Sequence, residues 1–203
     1  MSKPLEAIIV GAGNMGESHA KALRDLGVTV TGLVSRRDQG EKSAEFLNET
    51  LGLGAQTFRT YQDAIDTLDA DMVIVSTFPD THFDITEYGL QKNLHVFAEK
   101  PLAVLDDVKK KDWFTDTADA AQYLADLAAE KEKVLQVGYI LEHSPPWKKF
   151  VEEARDVGGE DGGPYRINWK LNQRSHGATW ETHKELITST GSPMVDCATH
   201  YIG

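Results

Sequence analysis

The chain reads as an α/β protein built on a doubly wound parallel sheet. Short apolar runs alternate with stretches of helical spacing from Leu5 to Tyr139, and the first run enters a glycine cluster directly. Such alternation implies a parallel sheet covered on both faces by helices. After Tyr139 the texture changes, which marks the start of a second domain.

Each element has a local cause. Leu5–Val10 is apolar apart from Glu6, as a strand buried on both faces would be. Asn14–Leu26 has helical spacing and is followed by Gly27, a residue suited to a left-handed cap. The same rhythm predicts a strand at Val28–Val34, a helix around Glu41–Leu51, a short extended piece near Thr57, a helix at Tyr61–Leu68 and a strand at Asp71–Thr77. Pro79 breaks the chain, His82–Gln91 resumes helical spacing, and Leu94–Ala98 is a β-prone run ending at Glu99, Lys100 and Pro101. A charged segment, Asp106–Asp112, precedes an amphipathic helix at Ala118–Glu132 and a strand at Val134–Tyr139. Beyond a break at Ser144, Pro145 and Pro146, a helix is predicted for Trp147–Arg155. A Gly- and acid-rich loop follows at Val157–Pro164, then a half-exposed strand at Tyr165–Gln173.

Bulk composition narrows the function classes. Of 203 residues, 21 are Lys or Arg and 32 are Asp or Glu, and the net charge of −11 repels phosphate backbones and anionic lipid. Neither a nucleic-acid nor a membrane partner is expected. Cys197 is the one cysteine of the chain, so no intrachain disulfide can form. Met1–Glu6 carries no basic-then-apolar signal, and no apolar run approaches the ~20 residues that cross a bilayer. The expected setting is cytoplasmic.

Gly11, Gly13 and Gly16, in Val-Gly-Ala-Gly-Asn-Met-Gly, have dinucleotide-binding spacing. The first permits the tight turn, the second lets the backbone approach a pyrophosphate, and the third lets helix pack on strand. The helix that follows would aim its N-terminal amides and dipole at the phosphates; a glycine turn with no ligand is the structural alternative. About 20 residues on, where an acid usually takes the adenosine ribose hydroxyls, the chain has Ser35, Arg36 and Arg37. A hydroxyl and a guanidinium suit a 2′-phosphate, so these residues point to NADP, with NAD still allowed. The alternatives are Arg36 stacking on adenine without discriminating and Arg37–Asp38 forming a solvated pair.

Three elements together carry a family resemblance: the glycine turn, Glu99-Lys100-Pro101 after a strand, and Gly191-Ser192-Pro193-Met194-Val195-Asp196-Cys197-Ala198-Thr199-His200. On these, and on Thr77–His82 in the loop after the fourth strand, the chain resembles the glucose-fructose oxidoreductase, inositol dehydrogenase and rhizopine-catabolism (Gfo/Idh/MocA) family over nearly its whole length. The resemblance implies a Rossmann domain over 1–139. Residues 140–203 would be the incomplete N-terminal part of an open-sheet domain that carries substrate contacts and often the oligomer interface. It implies hydride transfer between a nicotinamide nucleotide and a sugar, cyclitol or related hydroxy or carbonyl compound, in a protein that is a homo-oligomer at full length. Lys100 matches the family's active-site lysine, Asp196 its substrate-orienting carboxylate and His200 its acid/base, and the Lys100–Pro101 peptide is expected to be cis.

Asp196 and His200 also stand four apart, so on a helix they share a face; a plain surface pair is the alternative. Imidazole can pass a hydroxyl proton near neutral pH while a lysine stabilises the alkoxide. Candidate cofactor contacts are Gly11, Gly13, Asn14, Met15 and Gly16 in the turn, Ser35 and Arg36 after the second strand, Thr77, Phe78, Pro79 and His82 after the fourth, and Glu99 and Lys100 after the fifth.

Two features depart from the family. Leu141, Glu142 and His143 stand where many relatives carry an arginine–aromatic pair, and Lys109–Thr117 looks inserted, with Trp113 and Phe114 expected to pack on the domain. Relatives also continue past Gly203, so a truncated member is expected. His19 reads as a surface or packing residue. His176, Glu181 and His183 match no compact zinc spacing and read as a loop, so no metal is expected. Trp180 and Arg174 suit either a sugar site or structure. Cys197 reads as a small buried group. A second functional class stays open: a dinucleotide-binding sensor or truncated paralogue without catalysis.

Overall fold

The computed structural model describes residues 3–36, 40–41, 43–139 and 143–158. The backbone divides into two compact units, Met1–Gly138 and Tyr139–Gly203. Arg37, Asp38, Leu141, Glu142, Arg174, His176, Trp180, Glu181, His183, Asp196, Cys197, His200 and the strand predicted at Tyr165–Gln173 lie outside the described residues.

The first unit is a six-stranded parallel sheet with strand order β3-β2-β1-β4-β5-β6. Its strands are β1 (Glu6–Val10), β2 (Thr29–Val34), β3 (Gln56–Phe58), β4 (Met72–Val75), β5 (His95–Ala98) and β6 (Leu135–Val137). Between them run α1 (Asn14–Asp25), α2 (Ala44–Leu51), α3 (Tyr61–Thr67), α4 (His82–Gln91) and α5 (Thr117–Glu130). The chain winds outward from β1 through β2 and β3, then returns to lay β4 on the other side of β1. That reversal is the switch point where ligands of open α/β sheets bind, outside the carboxyl ends of the strands.

Alternation along β1 explains why the sheet is covered twice. Ile8 and Val10 enter one core with Val73, Val75, Phe83 and Leu124, while Ala7 and Ile9 enter the other with Leu33, Ala20, Leu47 and Ile74. A strand with both faces buried cannot tolerate polar alternation, which is why it reads as a continuous apolar run. α2, α3 and α5 begin where side chains satisfy their orphan amides. Ser43 accepts from Phe46 N, Thr60 from Asp63 N, and Asp116 from both Ala118 N and Asp119 N. The second helix therefore starts at Ala44 rather than near Glu41. α1 ends as expected, with Gly27 at φ +75°.

The charged segment after Pro101 is a 3-10 helix, Leu105–Lys110, tied down by Lys110 to Asp84 and Asp107. Phe114 is buried against Phe83 and Tyr123, as expected of the inserted segment. Trp113 stays 65% exposed while lying edge-on to Phe114 and Tyr123. In the second unit the described residues include one helix, α6 (Pro145–Gly158). It takes in the double proline, whose missing N–H groups cost nothing in a first turn, and it extends beyond the predicted Arg155. Among the described residues no helix is long and apolar enough to cross a membrane.

The glycine turn is where β1, α1 and β4 come closest. Gly11 has φ +108°, and a Cβ there would lie 2.5 Å from Ser76 O. At Gly16 a Cβ would lie 1.9 Å from Gly11 O, well inside any possible contact. Both obstacles are backbone, so neither can swing aside. Gly16→Ala should therefore destabilise the first unit by about 3 kcal/mol, read as a lower urea midpoint with an unchanged slope; an unaltered midpoint would show that the helix can shift off the turn at little cost.

Candidate functional site

A cavity of about 670 Å³ opens at the carboxyl edge of the sheet, beside the switch between β1 and β4. Gly11, Gly13, Asn14 and Met15 line it from the glycine turn, Ser35 and Arg36 from the end of β2, and Thr77 and Phe78 from the end of β4. These eight candidate residues, taken from three separated stretches of chain, meet in one place.

Gly13 differs from its two partners in the turn. Nothing lies within 4 Å of where its Cβ would stand, whereas Gly11 and Gly16 are crowded by backbone. Internal packing does not require a glycine at 13, and the open space beside it faces the cavity. Gly13 is also the N-cap of α1 and offers no side-chain cap. The first-turn amides of that helix, which no helix can satisfy internally, are left for an anionic group at its positive end. Met15 and Phe78, 40% and 74% exposed, add apolar surface at the same opening. Ser76 Oγ donates to Val10 O and Gly11 O, holding the turn from the β4 side. Thr81 Oγ1 donates to Thr77 Oγ1 and Phe78 O, which orders the β4 loop.

The remaining candidates stand around the cavity rather than in its lining. Gly16 lies behind the turn, packed on Gly11. Pro79 opens a short 3-10 turn, Pro79–Thr81, that leads into α4. His82, at 1% exposure, is a clamp: Nδ1 lies 2.8 Å from Pro101 O and Nε2 3.1 Å from Thr77 O. A neutral ring donates from one nitrogen only, so the Nδ1–H tautomer donates to Pro101 O and ties the start of α4 to the loop after β5, while the Nε2–H tautomer donates to Thr77 O and closes the β4 loop on α4. Glu99 is buried, and its Oε1 accepts from His19 Nε2 at 2.9 Å. His19 is thus a packed, paired residue of α1, edge-on to Phe97 of β5 at 4.9 Å. Lys100 follows at the carboxyl end of β5, and its peptide to Pro101 is cis, as the resemblance implied. Burial pushes the Lys100 ammonium below its ordinary value, against a smaller upward pull from the charge on Glu99.

Sequence reasoning missed the wall after β3. Arg59, Thr60, Tyr61 and Gln62 line the cavity beside Ser35 and Arg36, and Asp80 and Asp84 line it from the β4 side. The signal was present in Arg59-Thr60-Tyr61, since this loop leaves the carboxyl end of β3, the strand paired with β2, and so stands beside Ser35 and Arg36. A three-residue strand is too short to declare where its end lies. Among the described residues no cluster of His, Cys, Asp and Glu could hold a metal ion.

Two outcomes follow from this geometry. Gly13→Val should leave the thermal midpoint within a few degrees of wild type while abolishing dinucleotide binding in a calorimetric titration. Full retention of binding would mean that the cavity is filled from another side. Competitive labelling of amines with acetic anhydride should show Lys100 reacting with an apparent pKa below the ordinary 10.5, and lower still in Glu99→Gln, where the upward pull is gone. Titration of Lys100 alongside the surface lysines would contradict its desolvation.

Comparison with known proteins agrees with this geometry. Residues 5–139 match the GFO_IDH_MocA family, described as an oxidoreductase family with an NAD-binding Rossmann fold. The chain is 29% identical over 149 residues to the rhizopine catabolism protein MocA of Rhizobium meliloti, a match covering 73% of this chain and 39% of that protein. It is 28% identical over 167 residues to the inositol 2-dehydrogenase of Salmonella typhimurium, covering 81% and 45%. The chain thus spans less than half the length of these two relatives. Among solved structures, GenD2 from gentamicin A biosynthesis, crystallised with NAD, superposes with a TM-score of 0.64 at 26% identity, covering 77% of this chain and 40% of that one. The family match over the sheet that carries the glycine turn, the cavity and Lys100 establishes that this chain belongs to the Gfo/Idh/MocA oxidoreductases, with their NAD-binding Rossmann fold.

Proposed function

We propose that the protein is an NADP-preferring dehydrogenase or reductase that moves a hydride between the nicotinamide and a hydroxyl-bearing carbon of a cyclitol, sugar or related compound. One observation carries this reading: a cavity at the glycine turn, open at Gly13, shares its sheet edge with a partly desolvated lysine. Inositol 2-dehydrogenase among the relatives supports the substrate class. A half-buried Lys100 favours chemistry over binding alone.

When bound, the nicotinamide nucleotide supplies or takes up the hydride. The chain's own residues do the rest. Gly11, Gly13 and the first-turn amides of Asn14 and Met15 hold the pyrophosphate, and Ser35 and Arg36 hold the adenosine 2′-phosphate. Lys100, with its proton loosened by burial, donates to the substrate oxygen and stabilises negative charge as it develops there. His200 takes the hydroxyl proton during oxidation and returns it during reduction, and Asp196 orients a neighbouring hydroxyl. Residues 140–203 belong, on this reading, to the substrate-binding and oligomer-forming domain. The protein works in the cytoplasm as a homo-oligomer, with no nucleic-acid or membrane partner, in keeping with its charge of −11.

The test is a panel of cyclitols and sugars assayed with NADP and NAD on the protein expressed from its whole reading frame. NADP should support faster turnover than NAD on at least one cyclitol. Lys100→Ala and His200→Ala should each lower turnover by roughly 10²–10⁴-fold with cofactor affinity unchanged. Normal turnover in His200→Ala would remove that residue from the chemistry, and equal use of both cofactors would remove the role given to Ser35 and Arg36.

A further inference from the structure

The register of β2 and β3 brings a second arginine to the edge that carries Ser35 and Arg36. Val34 pairs with Phe58 at the end of the ladder, and Ser35 N donates to Phe58 O at 3.1 Å. Ser35 and Arg59 therefore leave adjacent strands side by side, at a strand spacing of about 4.8 Å. Arg36 and Arg59 both line the cavity. Arg59 is anchored: its Nη2 donates to Oε1 of Glu45, at 3.3 Å, in the first turn of α2, which packs on β2 and β3. Arg59 still keeps about half of its side chain, 47%, in contact with solvent.

We infer that Arg59 is a second reader of the adenosine 2′-phosphate, acting with Arg36 as a specificity-determining residue; this rests on the NADP reading above. A phosphomonoester carries between one and two negative charges at neutral pH and presents several acceptor oxygens, more than one guanidinium satisfies. Two guanidiniums at neighbouring strand ends offer such a group more donors than a single one, each in a fork that matches its oxygens. The wall agrees in sign. Val34, Ser35, Arg36 and residues 59–62 contribute no carboxylate to the cavity. Its acids, Asp80 and Asp84, come from the β4 loop and α4, and Asp84 is paired with Lys110. A ribose bearing only hydroxyls presents no charge to either arginine.

The experiment is a calorimetric titration of the 203-residue chain with 2′,5′-ADP and with 5′-AMP, fragments that differ in the 2′-phosphate and carry no reactive ring. Wild type should prefer 2′,5′-ADP. Arg59→Ala should weaken 2′,5′-ADP about tenfold, the loss of roughly one charged contact, while changing 5′-AMP by less than about twofold. Arg59→Lys should recover part of the preference, as a point charge without the fork, and it is the variant to read if the alanine form melts early. Equal weakening of both fragments by Arg59→Ala, or no weakening of either, overturns the inference and leaves the NADP reading standing provided Arg36→Ala still removes the preference. A wild-type chain that binds both fragments equally overturns both.

Discussion

The contact on which the rest depends is the approach of α1 to the turn between β1 and β4. At Gly16 the helix comes so close to the carbonyl of Gly11 that no side chain fits, and Gly11 is pressed in the same way on the carbonyl of Ser76. This closeness brings the start of α1 to the sheet edge, where its free amides and the positive end of its dipole face outward. It also places the start of α1 at the one point where the strand order reverses, so that the loops after β1 and β4 splay apart and leave a cleft. Remove the contact, and amides, cleft and edge lose their common origin.

Two histidines, His19 partly buried and His82 fully buried, extend that arrangement toward Lys100. His19, on α1, is paired with Glu99 at the end of β5, so the helix that would hold a pyrophosphate is tied to the residue next to the lysine. His82, at the start of α4, lies between the carbonyls of Thr77 and Pro101, and in its Nδ1–H tautomer it donates to Pro101 O in the loop carrying the cis peptide. Glu99 and His82 are buried, so a lost partner would leave a polar group unsatisfied at a cost of about 1–3 kcal/mol. The start of α1 and the lysine end of the edge are thus joined through side-chain contacts.

Charge is distributed against the average of the molecule. A chain with a net charge of −11 would repel an anionic ligand at most points of its surface, yet the β2–β3 corner of the cavity presents Arg36 and Arg59. Acidic residues nearby are spent on pairs: Glu45 on Arg59, Asp84 on Lys110, Glu87 on Lys111. The exposed pairs add little to stability. Their effect is to fix side-chain directions and to reduce the number of unpaired carboxylates around the opening.

How much of this was legible beforehand depended on the range of the signal. Alternation of buried strands with capped helices is written in neighbouring residues, so the doubly wound sheet, the helix at Asn14, the close of that helix at Gly27 and the glycine turn could be read in order along the chain. Ser35 and Arg36 were legible for the same reason, as their place is set by distance from the glycines. His19–Glu99 and the clamp by His82 were not, because each joins residues 80 and 19 positions apart through packing that no local pattern records. Arg59 was missed because its strand is only three residues long and its neighbour at the edge, Ser35, lies far back in the chain. The sequence by itself determined which elements form and which chemistry-bearing residues are available. The tertiary structure decided which of them share a cavity, because strand register and the reversal of strand order are set by the packing of both sheet faces at once.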